Sequence, residues 1–307
     1  MPRSGDNLSS SAEALAKTLF FVVGCQKSGT SWLQLMLDAH PQAICRGEYK
    51  LMHVLIPLMQ EVVKCWGNHI TIPDVSEDGD DFLSEAETTG LVRAAAGLLF
   101  AKWAGGQLDQ IQAIGEKTPE HALTLPLLDK VFPGCRVIHI IRDGRDGIVS
   151  GRYHNLRENE EKFRQNFPNN ADYARYFAEH HWVKYITLAR DWGRAHSDRY
   201  LEVHYEALLS DPRPMAGRML DFLGLDSSEA SIETCLAASS FDAVTGGREH
   251  GDTDSTSHFR KGIAGDWVGE LSEDEVRAFE EIAGWLMAEL GYTSSFEFAR
   301  SNQGIAD

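Results

Sequence analysis

The residues best suited to chemistry lie between Phe21 and Trp32, in the run FVVGCQKSGTSW. An apolar segment ends at Gly24, a Lys-Ser-Gly-Thr-Ser turn follows, and a helical pattern opens at Thr30. Glycine lets a backbone approach a ligand closely. A helix N-terminus offers free N–H groups and the positive end of its dipole. Lys27, Ser28, Gly29, Thr30 and Ser31 therefore read as an anion cradle; the plainer alternative is an ordinary glycine-containing turn. Gly24 and Gly29 keep the spacing of the G-x-x-x-x-G-K-[ST] phosphate loop, but Thr30 stands where that loop has its lysine. The lysine is Lys27, inside the turn, beside a nearer 5′-phosphate rather than beyond it. That displacement argues against ATP or GTP hydrolysis.

Two further basic elements are separated from the first. In RVIHIIRDGRDGIVS, Arg142 follows an apolar strand pattern ending at Ile141, Gly144 permits a turn, and a helix starts near Asp146. Ser150 is about two helical turns farther on. Arginine at a strand end and serine on the next helix can grip one phosphate from two sides. The competing reading pairs Arg142 and Arg145 with Asp143 and Asp146 on the surface. In HFRKGIAGDW, Arg260, Lys261 and Gly262 put two cations beside a permissive backbone position. The formal net charge is −17, so basic residues gathered at glycine-rich turns carry more information than they would in a balanced chain.

The elements that must position these groups alternate. Strand patterns cover Leu19–Gly24, Gln42–Cys45, Ile111–Gly115, Arg136–Ile141 and Tyr200–His204. Helical patterns cover Thr30–Ala39, Leu51–Trp66, Glu85–Trp103, Leu123–Phe132, a long aromatic stretch Ala171–His196, Pro212–Leu223 and Glu273–Leu290. Strands alternating with helices predict an α/β fold, a mostly five-stranded parallel sheet covered on both faces. The 307 residues fit a single domain. Residues 1–17 read as a disordered lead, Asp74–Asp81 as an acidic surface loop, and Gly246–Ser257 as a mobile segment over a site.

Taken together, these motifs resemble the PAPS-dependent sulfotransferase family, in its order and register over roughly residues 19 to 267. QKSGTSW resembles its 5′-phosphosulfate loop, RDGRDGIVS its 3′-phosphate motif, and FRKGIAGDW its C-terminal R-K-G-x-x-G-D-W motif. The resemblance implies a P-loop-like α/β/α fold, 3′-phosphoadenylyl sulfate (PAPS) as co-substrate, PAP as product and no metal. It places Trp32, Tyr205 and Phe241 around the adenine, although core packing explains such aromatics equally well. It puts Lys27 at the leaving bridge oxygen. The stretch GEKTPEH matches Lys117 and Thr118 of the K-T-H triplet of the steroid and phenol branch, but Pro119 replaces the histidine base. The G-E-K-T-P wording is closer to carbohydrate-modifying and bacterial members. Several of those use a glutamate after the second strand, which makes Glu48 the candidate base, Lys117 its neighbour near the sulfuryl group, and His121 and Glu116 the reserves.

Composition narrows the rest. The acidic balance disfavours nucleic acid and anionic membranes as partners. No run reaches the roughly 18 apolar residues of a membrane span, and the N-terminus lacks the pattern of a secretory signal. Five scattered cysteines without a C-x-x-C pair fit reduced thiols in a cytoplasmic protein. His180 and His181 are adjacent on a helix and cannot chelate together. Residues 48–106 and 151–196 are expected to cover a small-molecule, lipid or carbohydrate acceptor. A P-loop kinase and a non-catalytic nucleotide binder are the rival readings. Oligomeric state, acceptor and the choice of O- or N-transfer stay open.

Overall fold

The computed structural model describes residues 4–69, 83–254, 257 and 259–295. The acidic stretch Asp74–Asp81 and His258 lie outside them. Five strands form one parallel sheet: β1 (Thr18–Gly24), β2 (Ala43–Gly47), β3 (Ala113–Lys117), β4 (Arg136–Ile141) and β5 (Tyr200–His204), in the order β2-β3-β1-β4-β5. The chain runs from β1 out to β2, returns through β3, and crosses β1 to reach β4 and β5. The winding reverses beside β1, and ligands of open α/β sheets bind at the carboxyl ends of strands at such a reversal.

The helices are α1 (Ser4–Leu15), α2 (Thr30–Asp38), α3 (Ile56–Gly67), α4 (Glu85–Ala104), α5 (Leu125–Val131), α6 (Gly144–Asn166), α7 (Asn170–Tyr176), α8 (Lys184–Ala195), α9 (Tyr205–Ser210), α10 (Pro212–Leu223), α11 (Glu229–Ser239), α12 (Phe241–Thr245), α13 (Trp267–Glu270) and α14 (Glu273–Glu289). Side chains alternate across a strand, so β1 feeds two cores. Phe21 and Val23 pack with Phe100, Phe132, Trp182 and Phe279 on one face. Phe20 and Val22 pack with Leu33, Met36, Leu37 and Leu220 on the other. This is the three-layer α/β/α arrangement expected from the alternating pattern.

Several boundaries differ from the sequence reading. The lead expected to be disordered contains α1: Ser11 and Ala14 are buried against α4. Gly97 makes the room, since a Cβ there would come within 2.4 Å of Ser11 Oγ. Close packing outweighs the poor helix propensity of a serine run. Strand β3 continues two residues past Gly115, so Glu116 and Lys117 are strand residues on opposite faces. The aromatic stretch is α7 and α8 joined by a π-helical turn, Phe177–Val183. A second π-helical turn, Leu51–Leu55, precedes α3. The segment after Gly246 is folded back rather than loose: the Arg248 guanidinium donates to the carbonyls of Phe259 and Arg260, and the Gly251 amide to the Lys261 carbonyl.

Gly115 sits where a Cβ would fall 2.3 Å from the fully buried Phe20 ring, whereas Gly90 on α4 faces open space. Gly115→Ala is expected to cost about 1–3 kcal/mol through overpacking, and Gly90→Ala to be neutral or stabilising by up to about 1 kcal/mol. Urea unfolding midpoints of the two variants check this contrast.

Candidate active site

The three basic elements meet at the carboxyl edge of β1 and β4. A cleft of about 420 Å3 is lined there by Lys27, Gly29, Thr30, Ser31 and Trp32 from the first; Arg142 and Ser150 from the second; and Arg260, Lys261 and Gly262 from the third. Glu48, Tyr205 and Phe241 also line it. Ser28 is buried behind the turn.

The turn after β1 needs its glycines. Gly24 brings β1 so close to β4 that a Cβ would lie 2.5 Å from the Ile140 carbonyl oxygen. Gly29 has φ 96°, and a Cβ there would lie 2.7 Å from the Tyr205 ring. Lys27 also takes a left-handed backbone, φ 71°, uncommon for a residue with a side chain. Its amine is half-buried, and burial, reinforced by the Arg157 charge, pushes its pKa down to about 8. The Glu48 charge offsets this only in part, and an anion entering the cleft would raise the pKa again.

Arg142 donates to the Lys27 carbonyl at 3.3 Å and the Ile263 carbonyl at 2.9 Å, and its guanidinium lies 4.3 Å from the Tyr205 ring centre. Its own carbonyl accepts from buried Trp182 Nε1 at 2.8 Å, so the aromatic stretch fixes the arginine's backbone. Arg142 Nε is buried with no hydrogen-bond partner. Arg145 is elsewhere: it is buried against Asp143 and Glu280 and stacks 3.8 Å over Trp267. The carboxylate pairing of both arginines is thus present, Arg142 with Asp146 at 3.4 Å and Arg145 with Asp143 at 2.7 Å, but it is buried rather than on the surface. Asp146 ties the third element to the second, accepting from the Gly265 amide at 2.9 Å and the Trp267 amide at 3.0 Å. Arg260 and Lys261 are held by Asp266, and Lys261 also by Glu270 at 3.0 Å.

The aromatic residues are partly engaged with one another. Trp32 meets Tyr205 edge-on at 5.6 Å and donates Nε1 to the Ser239 carbonyl at 2.9 Å. His250 stacks on Phe241 at 4.7 Å, and Gly262, with φ 63°, leaves room for that ring. Lys117 Nζ donates to Glu48 Oε1 at 2.6 Å and to Ser31 Oγ at 3.2 Å, bridging the loop after β2 to the turn after β1. His121 does not reach the cleft. It is fully buried, bonded through Nε2 to Glu116 at 2.5 Å, because β3 turns Glu116 away from the face that carries Lys117.

Among the polar cleft residues that the sequence reading did not single out are Gln26, Glu120 and His154. Gln26 donates to Glu120 at 2.7 Å. His154 lies four residues after Ser150 on α6, a spacing that places both on one helix face and was available in the sequence. Burial, then the charges of Lys27 and Arg157, lowers its pKa. A second cavity, about 460 Å3, opens on the far side of Lys27. It shares Gln26, Lys27 and His154 with the cleft and adds Asn155, Asn166, Phe167, Tyr173, Tyr176, Phe177 and His181. Of the aromatic residues within the segments 48–106 and 151–196, Phe167, Tyr173, Tyr176 and Phe177 line it; Phe163 and Trp182 are core, and Tyr49 packs on Trp103 at 4.7 Å. Among the described residues, no three His, Cys, Asp or Glu side chains are grouped to hold a metal, and no helix is long and apolar enough to cross a membrane.

Residues 20–229 match the family model described as "Sulfotransferase family". The chain belongs to the sulfotransferase family. It is similar to protein-tyrosine sulfotransferase 1 of Danio rerio, 26% identical over 294 residues that cover 89% of this chain and 72% of the relative. It is also similar to sulfotransferase 2A6 of Mus musculus, 26% identical over 179 residues covering 52% and 60%. The solved structure of mouse sulfotransferase SULT7A1 complexed with PAP shares the fold, with a TM-score of 0.55 and 19% identity over 97% of this chain and 94% of that one. As a sulfotransferase the chain is an enzyme, and PAPS is the family's co-substrate.

The Lys27 shift has a signed consequence. Its folded pKa, about 8, lies below that of a free lysine, so the unfolded state binds the extra proton between those values and stability rises with pH there. At pH 7 the full cost of burying the charge is present. Lys27→Met is therefore expected to raise the Tm of the ligand-free protein at pH 7, with the advantage shrinking by pH 10. Thermal melts of both proteins at the two pH values test it.

Proposed function

We propose that this sulfotransferase moves the sulfuryl group of PAPS to the hydroxyl of a small, uncharged, ring-bearing acceptor by in-line displacement, with Glu48 as general base. The observation that carries the reading is the wall between the two cavities. Lys27 faces both of them, and the Lys117–Glu48 pair stands at the phosphate turn beside it. A nucleotide in the cleft and an alcohol in the second cavity would meet across Lys27.

The cleft suits a nucleotide carrying two separate phosphate groups. The turn at Lys27–Ser31 and the α2 N-terminus offer N–H donors to a 5′-phosphosulfate. Arg142 and Ser150, with Arg260 and Lys261 closing over them, form a second anion site, and the unpartnered Arg142 Nε supports an additional acceptor there. Binding there would require Arg260 and Lys261 to share their charge between Asp266, Glu270 and the phosphate.

In the reaction, the acceptor oxygen attacks sulfur while the bond from sulfur to the bridging oxygen breaks. Lys27 stabilises charge on the departing oxygen, and alignment supplies much of the acceleration. Glu48 takes the acceptor proton. Lys117 orients the carboxylate and links it to Ser31. Among the described residues the second cavity is lined by four Phe and Tyr rings, three carboxamides, the imidazoles of His154 and His181, and Lys27. That lining favours a neutral planar acceptor with polar substituents. His154 gives a second reading of the base: it faces both cavities, and burial keeps its imidazole neutral, ready to accept a proton.

Glu48→Gln is expected to lower kcat by about 10²-fold or more while PAP still binds. The assay is transfer of labelled sulfate from PAPS to a panel of aryl alcohols, sterols and tyrosyl peptides. Normal turnover in Glu48→Gln together with collapse in His154→Asn would move the base to His154.

A further inference from the structure

Glu48 stands in an improbable piece of chain. Glu48 has φ 56° and Lys50 φ 54°, two left-handed residues within three, and neither is glycine or asparagine. Each such residue costs roughly 1–2 kcal/mol. The turn supplies little burial of its own, since Glu48, Tyr49 and Lys50 are all exposed. What fixes it comes from β3. The Glu48 amide donates to the Lys117 carbonyl at 2.8 Å, and the Lys50 amide donates to Glu116 Oε1 at 3.1 Å.

Glu116 is fully buried and uses both oxygens. Oε1 also accepts from the Thr118 hydroxyl at 2.5 Å, and Oε2 is bonded to His121 Nε2 at 2.5 Å. The His121 ring stacks on His53, at 5.6 Å and 19°, within the π-helical turn that begins one residue after Lys50. One carboxylate thus reaches the 50–55 segment twice, directly and through an imidazole. Strand alternation places Lys117 on the opposite face, where it holds the Glu48 carboxylate at 2.6 Å.

We propose that Glu116 is a positioning residue for sulfuryl transfer: it anchors the strained Glu48–Lys50 turn from behind β3 so that Lys117 can hold the Glu48 carboxylate at the phosphate turn. This rests on the reading of Glu48 as the base. The carboxylate acts by its reach as a hydrogen-bond acceptor. A carboxamide of the same length can accept from Lys50 and Thr118, and can donate to His121 Nε2 once the imidazole carries its proton on Nδ1 instead. An aspartate, shorter by about 1.5 Å, cannot make the same contacts.

The test compares Glu116→Asp, Glu116→Gln, Glu48→Gln and the double variant Glu48→Gln/Glu116→Asp by steady-state kinetics with PAPS and an active acceptor, alongside PAP-induced thermal stabilisation. Glu116→Asp is expected to lower kcat by up to about 10²-fold, the scale of a misplacement near 1 Å. The KM for PAPS and the stabilisation by PAP should stay unchanged, and Glu116→Gln should retain most of kcat. The double variant should be no slower than Glu48→Gln, since a base already removed cannot be misplaced. Wild-type kcat in Glu116→Asp beside an inactive Glu48→Gln would overturn the positioning role and leave the base standing. So would losses that multiply in the double variant, or Glu116→Gln falling below Glu116→Asp. An active Glu48→Gln would instead overturn the base. A Glu116→Ala variant that fails to fold bears on neither, because the Asp and Gln variants carry the comparison.

Discussion

The site is organised around one cation kept partly out of water. Lys27 sits at the tip of the central strand with its amine half-buried and its pKa drawn down to about 8. Such a group gains most from an incoming anion, because the ligand supplies the charge that the protein withholds. Its position requires the close approach of β1 to β4 at Gly24, a left-handed backbone at Lys27 itself, and the space beneath Gly29 filled by Tyr205. Several nearby carboxylates are engaged by other groups: Glu48 by Lys117, Asp146 by Arg142 and the Gly265 and Trp267 amides, and Asp266 by Arg260 and Lys261.

Much of this was legible in the residues. Each of the five strands falls on an apolar run, and the three basic motifs the sequence singled out meet in one cleft. What sequence reasoning missed has physical causes. The end of β3 is polar, Glu116 and Lys117, because the carboxyl edge of a central strand faces the site; an apolar-run criterion stops at Gly115. Helix α1 is built on serines and relies on Gly97 across the contact. The full extent of α6 is hidden by the RENEEK run, which has no apolar stripe. His121 stood in reserve as a base from its place in GEKTPEH, but strand alternation sends Glu116, and with it His121, to the opposite face from Lys117. His154 could have been found from its four-residue spacing to Ser150.

The two faces of β3 divide the labour. One carries Lys117 toward the phosphate turn, and the other carries a buried carboxylate into the backbone of the loop after β2. Residues that touch no ligand can set the geometry of those that do. The second cavity is lined mainly by α6, α7 and the π-helical turn after α7, and it shares Gln26, Lys27 and His154 with the cleft, so the two cavities are coupled through those three residues.

The central claim is that the cleft recognises a nucleotide with separate 5′ and 3′ phosphate groups through Lys27 and Arg142. Thermal unfolding of wild type and Arg142→Ala with PAP, AMP or ATP–Mg²⁺ tests it most directly, since a ligand at 100 times its Kd adds about 2.7 kcal/mol of stability. The account predicts a large shift of wild type with PAP, little with AMP or ATP–Mg²⁺, and loss of the PAP shift in Arg142→Ala. A shift with ATP–Mg²⁺ and none with PAP would contradict it.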